Sequence, residues 1–296
     1  MTDGVSSERQ RRLLAAAMTC ELLGPFTEGG ESRTYRVAGA DLLVTVPTGW
    51  PEVTVDPDEL TTSAELLTRV AGRVSVPVPT VDRVLSEVGC SVVRLLPGVR
   101  LLDLPPRPGD GRVVAPALGR LLGELHTWDP AAYAGLAPVD DAVPADWRDE
   151  AARTAEGLAA TLTGRQRADV DRFLAGSPPA PAPRPLLSHA DLGIEHVLVE
   201  RGPAGIRVTG VIDWGDAAIT DPAYDFGLVL RDLGPEALDL ALLAYAREGA
   251  SPEGLTERAR FYACCTLLED LAFGLTAGRP AYAEKSLAAW RRTFSP

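Results

Sequence analysis

Lysine is almost absent from this chain of 296 residues, in which Lys285 is the only one. Chemistry that usually depends on lysine must therefore be missing or be carried out by arginine. Basic residues as a whole are also outnumbered, 29 against 41 acidic residues, which gives a formal charge of -12. Such a balance argues against nucleic acid and anionic membranes as main partners. It suits a cationic small substrate, and it equally suits general solubility.

Cysteine and long apolar runs are scarce as well. The four cysteines, Cys20, Cys90, Cys264 and Cys265, form no CxxC pair and have no histidine nearby. We therefore expect buried thiols rather than a zinc site. We find no charged-then-apolar leader and no apolar run of the roughly 18 residues that a membrane-spanning helix needs. The expectation is a globular, cytoplasmic protein with a sizeable core.

The hydrophobic pattern changes about a third of the way along the chain. The first part has a helical segment, the strand-like runs "DLLVTVP", "VDRVLSE" and "CSVVRLL", and a short helix in which Thr62 and Glu65 have the spacing of a capping box. A Pro/Gly-rich stretch, "PGVRLLDLPPRPGDGR", looks like a linker, and the pattern after it is mostly helical with a short hairpin. We predict an α+β fold with two lobes, a small β-rich N-lobe over residues 1–97 and a larger helical C-lobe over residues 98–296.

The stretch "LLSHADLGIEHVLVE", residues 186–200, contains two of the three histidines of the chain. Asp191 lies between two strand-like runs, His196 stands at the start of the second run, and Asp213 ends the next strand, "VIDW". A hairpin of these strands would bring His196 and Asp213 together, where they could share a cation. Phosphoryl transfer needs a carboxylate that orients the acceptor hydroxyl, and ligands for Mg²⁺. This stretch and its sequel can supply both.

The segments "SHADLGIEH" and "VIDWGDAAITDPAYDF" resemble the catalytic core of the aminoglycoside phosphotransferase family, small-molecule kinases with a protein-kinase-like fold. Within that family the catalytic loop is most similar to that of the macrolide phosphotransferases. The resemblance extends to "GGESRTYRV", "TTSAELL" and "GELHTW", and so covers nearly the whole chain. It implies transfer of the γ-phosphate of ATP or GTP, with Mg²⁺, to a hydroxyl of a small molecule, most plausibly an antibiotic. By position it implies Asp191 as the catalytic aspartate, Asp213 and His196 as metal ligands, and His189 and Asp225 as supports of the loop.

Two positions depart from the family pattern. His196 stands where most members have a metal-binding asparagine, although the macrolide kinases also carry histidine there. Mg²⁺ prefers oxygen, and imidazole must be neutral to bind it. Thr45 stands where a strand lysine or arginine grips the phosphates, with Glu65 as the matching glutamate. Thr45 carries no charge, and Arg33 or Arg36 on the neighbouring strand could reach the phosphates instead.

A glycine turn offers the other nucleotide contacts. Backbone N–H groups of Gly29 and Gly30 can approach phosphate, although a plain hairpin turn explains the pair equally well. Glu65 likewise has its capping-box role as an alternative. The candidate nucleotide contacts are Gly29, Gly30, Ser32, Arg36, Thr45 and Glu65.

Acidic side chains of the C-terminal part could attract a cationic substrate, or could form an ordinary solvated face. A carboxylate-rich site would suit aminoglycosides, whereas macrolides would need an open apolar one. Two alternatives stay open: a kinase of a metabolite such as choline, homoserine or fructosamine, and a pseudokinase-like binding protein, for which Thr45 argues. The sequence does not indicate the number of subunits. The candidate substrate contacts are Asp216, Asp232, Glu236, Glu269 and Asp270.

Overall fold

The computed structural model describes residues 7–28, 32–203 and 205–294. The chain forms two compact units, one of Met1–Gly72 with Pro77–Leu96 and the other of Arg73–Val76 with Pro97–Pro296. Helices and antiparallel sheets together give the α+β fold that the sequence predicts. The four cysteines are free thiols, and three of them are buried. None of the described helices is both long and apolar enough to cross a membrane.

The first unit is built around one antiparallel sheet. Its elements are α1 (Ser7–Met18), β1 (Leu22–Glu28), β2 (Ser32–Val37), β3 (Leu42–Pro47), α2 (Pro57–Ala71), β4 (Val81–Leu85) and β5 (Cys90–Arg94). The strand order is β1-β2-β3-β5-β4. Because side chains alternate along a strand, one face of the sheet carries Tyr35, Val44 and Val92, which pack with Leu14 of α1 in the core.

Helix α2 begins N-terminal to its predicted start. Asp56 caps it by accepting a hydrogen bond from the backbone N–H of Asp58 (2.8 Å), and Pro57 occupies the first turn. Thr62 and Glu65 therefore lie inside the helix, and the prediction that they form its capping box is wrong. The helix starts at the Asp56–Pro57 pair rather than at Thr62, because Asp56 supplies a cap and the ring of Pro57 fixes a φ angle suited to a helix.

The second unit is mostly helical. Its longest helix has buried residues on all sides, as is typical of a central helix, and it packs against three others. The helices are α3 (Asp110–His126), α4 (Pro144–Leu158), α5 (Gly164–Ala175), α6 (Ala223–Leu233), α7 (Pro235–Arg247), α8 (Leu255–Thr276) and α9 (Pro280–Phe294). Helices α3 and α7 approach so closely that the backbone of Ala241 fills the place of a Cβ atom at Gly119.

Two small antiparallel sheets complete the second unit. They are formed by β6 (Val99–Arg100), β7 (Leu186–Ser188), β8 (Val197–Gly202), β9 (Gly205–Val211) and β10 (Ala218–Thr220), in the orders β6-β8-β9 and β10-β7. Strands β8 and β9 are the predicted hairpin. The Pro/Gly-rich stretch is not a free linker, because Val99 in β6 pairs with Val199 and the stretch runs into α3.

Candidate active site

The β8–β9 hairpin brings together residues that are far apart in the sequence. Val197 at the start of β8 is paired with Val211 at the end of β9. Just beyond this pair, the backbone N–H of Ile212 donates to the carbonyl oxygen of His196 (2.9 Å). The antiparallel register therefore places His196 and Asp213 side by side at one end of the hairpin.

His196 contacts both aspartates of the predicted site. Its Nε2 lies 3.4 Å from Oδ2 of Asp213, and its Nδ1 lies 3.2 Å from Oδ2 of Asp191. The same Nδ1 lies 2.8 Å from the backbone oxygen of Asp191. Because a carbonyl oxygen only accepts, Nδ1 carries the proton of the neutral ring, and the lone pair of Nε2 is directed towards Asp213. The three predicted residues thus converge.

The backbone of this loop adopts a conformation that is unusual for residues with side chains. Ala190 has φ = 63° and Asp213 has φ = 65°, both in the left-handed region. The carboxylate of Asp225 at the start of α6 stabilises the first of these by accepting N–H bonds from His189 (2.8 Å) and Ala190 (3.0 Å). Asp225, which is completely buried, therefore has the contacts expected of a loop support. Residues held in such conformations cluster at functional sites.

His189 connects the loop with the end of the hairpin. Its Nε2 donates to the carbonyl oxygen of Ile212 (3.0 Å), and its Nδ1 accepts from the N–H of Asp191 (3.2 Å). The ring packs against Trp214, with centroids 4.6 Å apart. Burial lowers the pKa of His189 to about 3, so the ring stays neutral and keeps both hydrogen bonds at neutral pH.

Burial changes the acidity of the candidate site residues. It raises the pKa of the Asp191 carboxyl to about 6, which leaves it mostly ionised at neutral pH but close to the range in which it can accept a proton. Burial disfavours the charged form of His196, but the carboxylates of Asp191 and Asp213 outweigh it and raise the pKa of this imidazole. Asp225 has a pKa raised by burial to about 7.

Asp213 and His196 are suitable ligands for a divalent cation. Their facing atoms, Oδ2 and Nε2, are 3.4 Å apart, a separation compatible with two ligands of one ion bound at about 2.1 Å. The Nδ1 hydrogen bond to the Asp191 backbone orients the ring, as is usual for ligating histidines. No group of three or more His, Cys, Asp or Glu side chains forms a complete metal site within the described ranges. A site with two protein ligands is consistent with Mg²⁺, because this ion commonly completes its coordination shell with water and phosphate oxygens.

A pocket of about 520 Å³ opens beside these residues, entirely within the second unit. Asp191, His196 and Asp213 line it together with Ala190. Seven lining side chains are carboxylates and one is an arginine, so the pocket is negative at neutral pH. A wall of this charge attracts cations.

Aromatic side chains form another part of the pocket wall. Trp147 of α4 packs against Tyr224, with ring centroids 4.9 Å apart, and Phe273 packs against Tyr282 with centroids 5.1 Å apart. None of these four residues is among the site residues predicted from the sequence. Tyr224 stands in "AYDF", beside the predicted Asp225, and that proximity was the one available signal. Asp140 was missed as well, and it has no motif around it.

The structure divides the five candidate substrate residues. Asp216, Glu269 and Asp270 line the pocket. Asp232 does not, because its side chain is buried and bonded to Arg231. Glu236 lies on the surface of α7 and pairs with Arg112 (2.8 Å). Burial raises the pKa of Glu269, and the neighbouring carboxylate of Asp270 adds to this effect.

The candidate nucleotide contacts of the first unit lie mostly on one sheet face. Ser32, Thr34 and Arg36 alternate along β2, and the hydroxyl of Thr45 on β3 lies 2.8 Å from that of Thr34. Arg36 is paired with Asp41 (2.7 Å). Glu65 is not paired with any strand residue that the structure describes; it forms an ion pair with Arg69 on its own helix. Gly29 and Gly30 lie outside the described residues.

Comparison with known proteins identifies the family. The model of the phosphotransferase enzyme family, known as APH, matches residues 23–262, which is most of the chain. The viomycin phosphotransferase of Streptomyces vinaceus is 38% identical over 90 residues, 30% of this chain and 31% of that protein. The chain is thus matched to about a third of the length of this curated relative.

Solved structures agree on the fold. The macrolide 2′-phosphotransferase of Brachybacterium faecium, solved as the apoenzyme, is 26% identical with a TM-score of 0.61, covering 94% of this chain and 96% of that chain. The GDP complex of an aminoglycoside 2′-phosphotransferase of type IIIa is 19% identical with a TM-score of 0.69, covering 98% of this chain and 99% of that one. The kinase-like α+β fold extends over nearly the full length.

Proposed function

Because this chain belongs to the phosphotransferase enzyme family, we propose that it transfers the γ-phosphoryl group of ATP or GTP to a hydroxyl of a cationic antibiotic. The convergence of Asp191, His196 and Asp213 on a carboxylate-lined pocket carries this proposal. Phosphorylation of such a compound would confer resistance to it. The relatives named above act on antibiotics of more than one chemical type, which supports the substrate class without choosing within it.

Asp191 is the proposed catalytic residue. Its carboxylate would accept a hydrogen bond from the substrate hydroxyl and orient the oxygen towards the γ-phosphorus atom. It would then take the hydroxyl proton as the new bond to phosphorus forms and the bond from phosphorus to the departing nucleoside diphosphate breaks. A pKa of about 6 leaves the group ionised at neutral pH and basic enough for this role. The Asp225 and His189 hydrogen bonds would hold the carboxylate in place.

Asp213 and His196 are the proposed metal ligands. A bound Mg²⁺ would neutralise the charge of the phosphate oxygens. Asp213 would bind it through Oδ2 and His196 through Nε2. The proton on Nδ1 keeps Nε2 free for this purpose as long as the ring is neutral.

The first unit is proposed to bind the nucleotide, through Ser32, Thr45, Arg36 and the Gly29–Gly30 turn. Arg36 is the available cation on this face. Its pair with Asp41 is exposed, and exposed pairs of this kind contribute at most about 1 kcal/mol, so a phosphate could replace the carboxylate at small cost. Glu65 is retained only as a weak candidate, since its charge is already paired with Arg69.

The pocket favours an acceptor that is both cationic and partly apolar. Glu269 would bind an amino or guanidino group, while Trp147 and Tyr224 would cover a ring or an aliphatic face. A wholly apolar macrolide ring would offer no cationic group to this negatively charged wall. An amino-bearing antibiotic therefore suits this wall best.

A second candidate, a binding protein without turnover, is favoured by one observation. Thr45 is bonded to Thr34 and Glu65 to Arg69, so the usual lysine–glutamate pair that grips the phosphates has no counterpart at these two positions. The pairing of Asp191 with Asp213 around His196 argues for catalysis, because binding alone does not require it.

A phosphorylation screen with a matched pair of variants tests the proposal. Purified protein with ATP or GTP and Mg²⁺ is offered aminoglycosides, macrolides, tuberactinomycin-type peptides, choline, homoserine and fructosamines, and product mass is measured. Asp191→Asn should lower kcat by about 10²- to 10⁴-fold. Asp171→Asn, an exposed change on α5, should leave it unchanged. Nucleotide binding in calorimetry without phosphorylated product from any acceptor would favour the binding protein, and turnover of a metabolite alone would favour the metabolite kinase.

A further inference from the structure

The only lysine of the chain is buried in a cluster of charges in the second unit. Nζ of Lys285, on α9, lies 2.7 and 2.5 Å from the two carboxylate oxygens of Glu195 and 2.9 Å from Oδ2 of Asp270. Only 7% of the Lys285 side chain and 3% of the Glu195 side chain are exposed. Solvent therefore screens this contact weakly, so the attraction between the two charges is stronger than at the surface, while removal of one partner would leave a buried charge uncompensated.

Two further residues of α6 complete the cluster. Arg231 bonds to Asp232 (2.8 Å) and to Asp270 (2.9 Å), and Asp232 lies 3.8 Å from Nζ of Lys285. The cluster thus contains two cations and three carboxylates, with a formal charge of −1. Each charge depends on its partners, because an unpaired charge in such a place is costly.

This cluster is attached to the loop that carries the proposed catalytic residue. Glu195 directly precedes His196, and the backbone N–H of Ile194 donates to Oδ2 of Asp232 (3.1 Å). A Cβ atom at Gly193 would overlap the Glu195 carboxylate, so the loop is folded tightly over that side chain. Residues 193–195, which connect Asp191 with His196, are therefore held by charges from three helices.

We propose that Lys285 is a positioning residue that acts through Glu195 to fix the loop from Asp191 to His196. The role in catalysis rests on the proposed function, whereas the restraint of the loop is a property of the folded chain. An ammonium group suits this task because its three N–H donors can reach Glu195 and Asp270 together. The planar guanidinium of arginine is longer and cannot reproduce that arrangement in the same space.

Two measurements on the full chain test the proposal, one independent of turnover. Hydrogen exchange of peptides that cover residues 188–198 reports the restraint of the loop, and kcat reports its consequence. Lys285→Met should exchange faster in this segment and lose about 100-fold in kcat, with the KM for nucleotide within about threefold of the original, since a small misplacement can cost this much. Arg291→Met, which removes an exposed cation from the same helix, should change neither.

A double variant separates positioning from simple charge balance. Glu195→Gln with Lys285→Met removes one charge of each sign and leaves the cluster at −1, so it should fold even if Lys285→Met alone does not. The proposal predicts that exchange in the loop stays fast and kcat stays low in this double variant. Recovery of both to the original values would show that Lys285 only balances charge and would overturn the proposal.

Failure of the proposed function gives a different result. If the unaltered protein phosphorylates no acceptor, the function proposed above is wrong. The comparison of hydrogen exchange between the unaltered protein and Lys285→Met still tests whether Lys285 restrains the loop. Unchanged exchange over residues 188–198 in a folded Lys285→Met protein would overturn the positioning role, whatever the activity. Faster exchange confined to this segment would support it.

Discussion

The imidazole of His196 is fixed by the backbone of Asp191: its Nδ1 donates to the Asp191 carbonyl oxygen at 2.8 Å. A hydrogen bond between these two residues selects the tautomer, because it places the ring proton on Nδ1 and leaves Nε2 beside Asp213. The orientation of one proposed metal ligand is thus set by the residue proposed to carry out the chemistry.

Loss of the His196 ring should therefore weaken metal binding more than it disturbs the fold. We expect His196→Ala to raise the Mg²⁺ concentration for half-maximal turnover by about 10- to 100-fold or more. Loss of a residue that only supports a metal ligand already weakens metal binding by about this factor. His196→Asn, which offers an amide oxygen, should recover part of this loss. Turnover measured against Mg²⁺ concentration checks both variants.

The Mg²⁺ concentration for half-maximal turnover should also depend on pH, in a direction that the charges around His196 determine. Asp191 and Asp213 raise the pKa of His196 against the opposing effect of burial, so a proton competes with the cation for Nε2 as the pH falls through this raised value. The Mg²⁺ requirement of the original protein should increase towards acid pH, and that of His196→Asn should increase less. Identical Mg²⁺ curves for the two proteins at pH 6 and pH 8 would exclude His196 as a ligand.

His126 should make the fold sensitive to acid. Its ring is buried against Tyr245, and burial lowers its pKa to about 3, whereas an unfolded chain binds the proton near pH 6.5. Below pH 6.5 the unfolded chain therefore binds a proton at His126 that the folded protein does not bind. The free energy of unfolding consequently falls as the pH falls towards 3. Urea unfolding at pH 6 and pH 5 should show a slope that is smaller in His126→Gln by up to about 1.4 kcal/mol per pH unit. Equal slopes would show that folding does not lower the pKa of this ring.

Two glycines in helices should respond oppositely to alanine. At Gly119 a Cβ atom would overlap the backbone of Ala241 in α7, so Gly119→Ala should lower the free energy of unfolding by about 1–3 kcal/mol. At Gly157 in α4 nothing lies within 4 Å of the added atom, so Gly157→Ala should raise it by up to about 1 kcal/mol through helix propensity. Urea unfolding of both variants measures the difference. A stabilised Gly119→Ala protein would contradict the close approach of α3 and α7.

The convergence of the candidate site residues could be predicted from the sequence because most of them are close together in the chain. His189, Asp191 and His196 lie within eight residues of one another between two strand signals, and one hairpin suffices to bring Asp213 beside them. The start of α2 differs from the prediction because "DPDEL" carries a cap followed by proline, so Thr62 and Glu65 lie inside the helix despite their capping-box spacing.

The aromatic part of the pocket wall and the ion pairs of the charge cluster could not be predicted in this way. Trp147 and Tyr224 meet across 77 positions of sequence, and Glu195 and Lys285 across 90. Such contacts depend on how α4, α6, α8 and α9 pack, and no spacing along the chain encodes that packing.

The tight packing of Gly193 against Glu195 has a consequence for how this loop can vary among homologous sequences. A side chain at position 193 and an acid at position 195 occupy the same space, so substitutions that introduce the first should eliminate the second. Loss of the acid would in turn leave a cation at position 285 without its main partner. Positions 193, 195 and 285 should therefore covary. Amino-acid changes in this loop should be accompanied by changes in α9 at position 285.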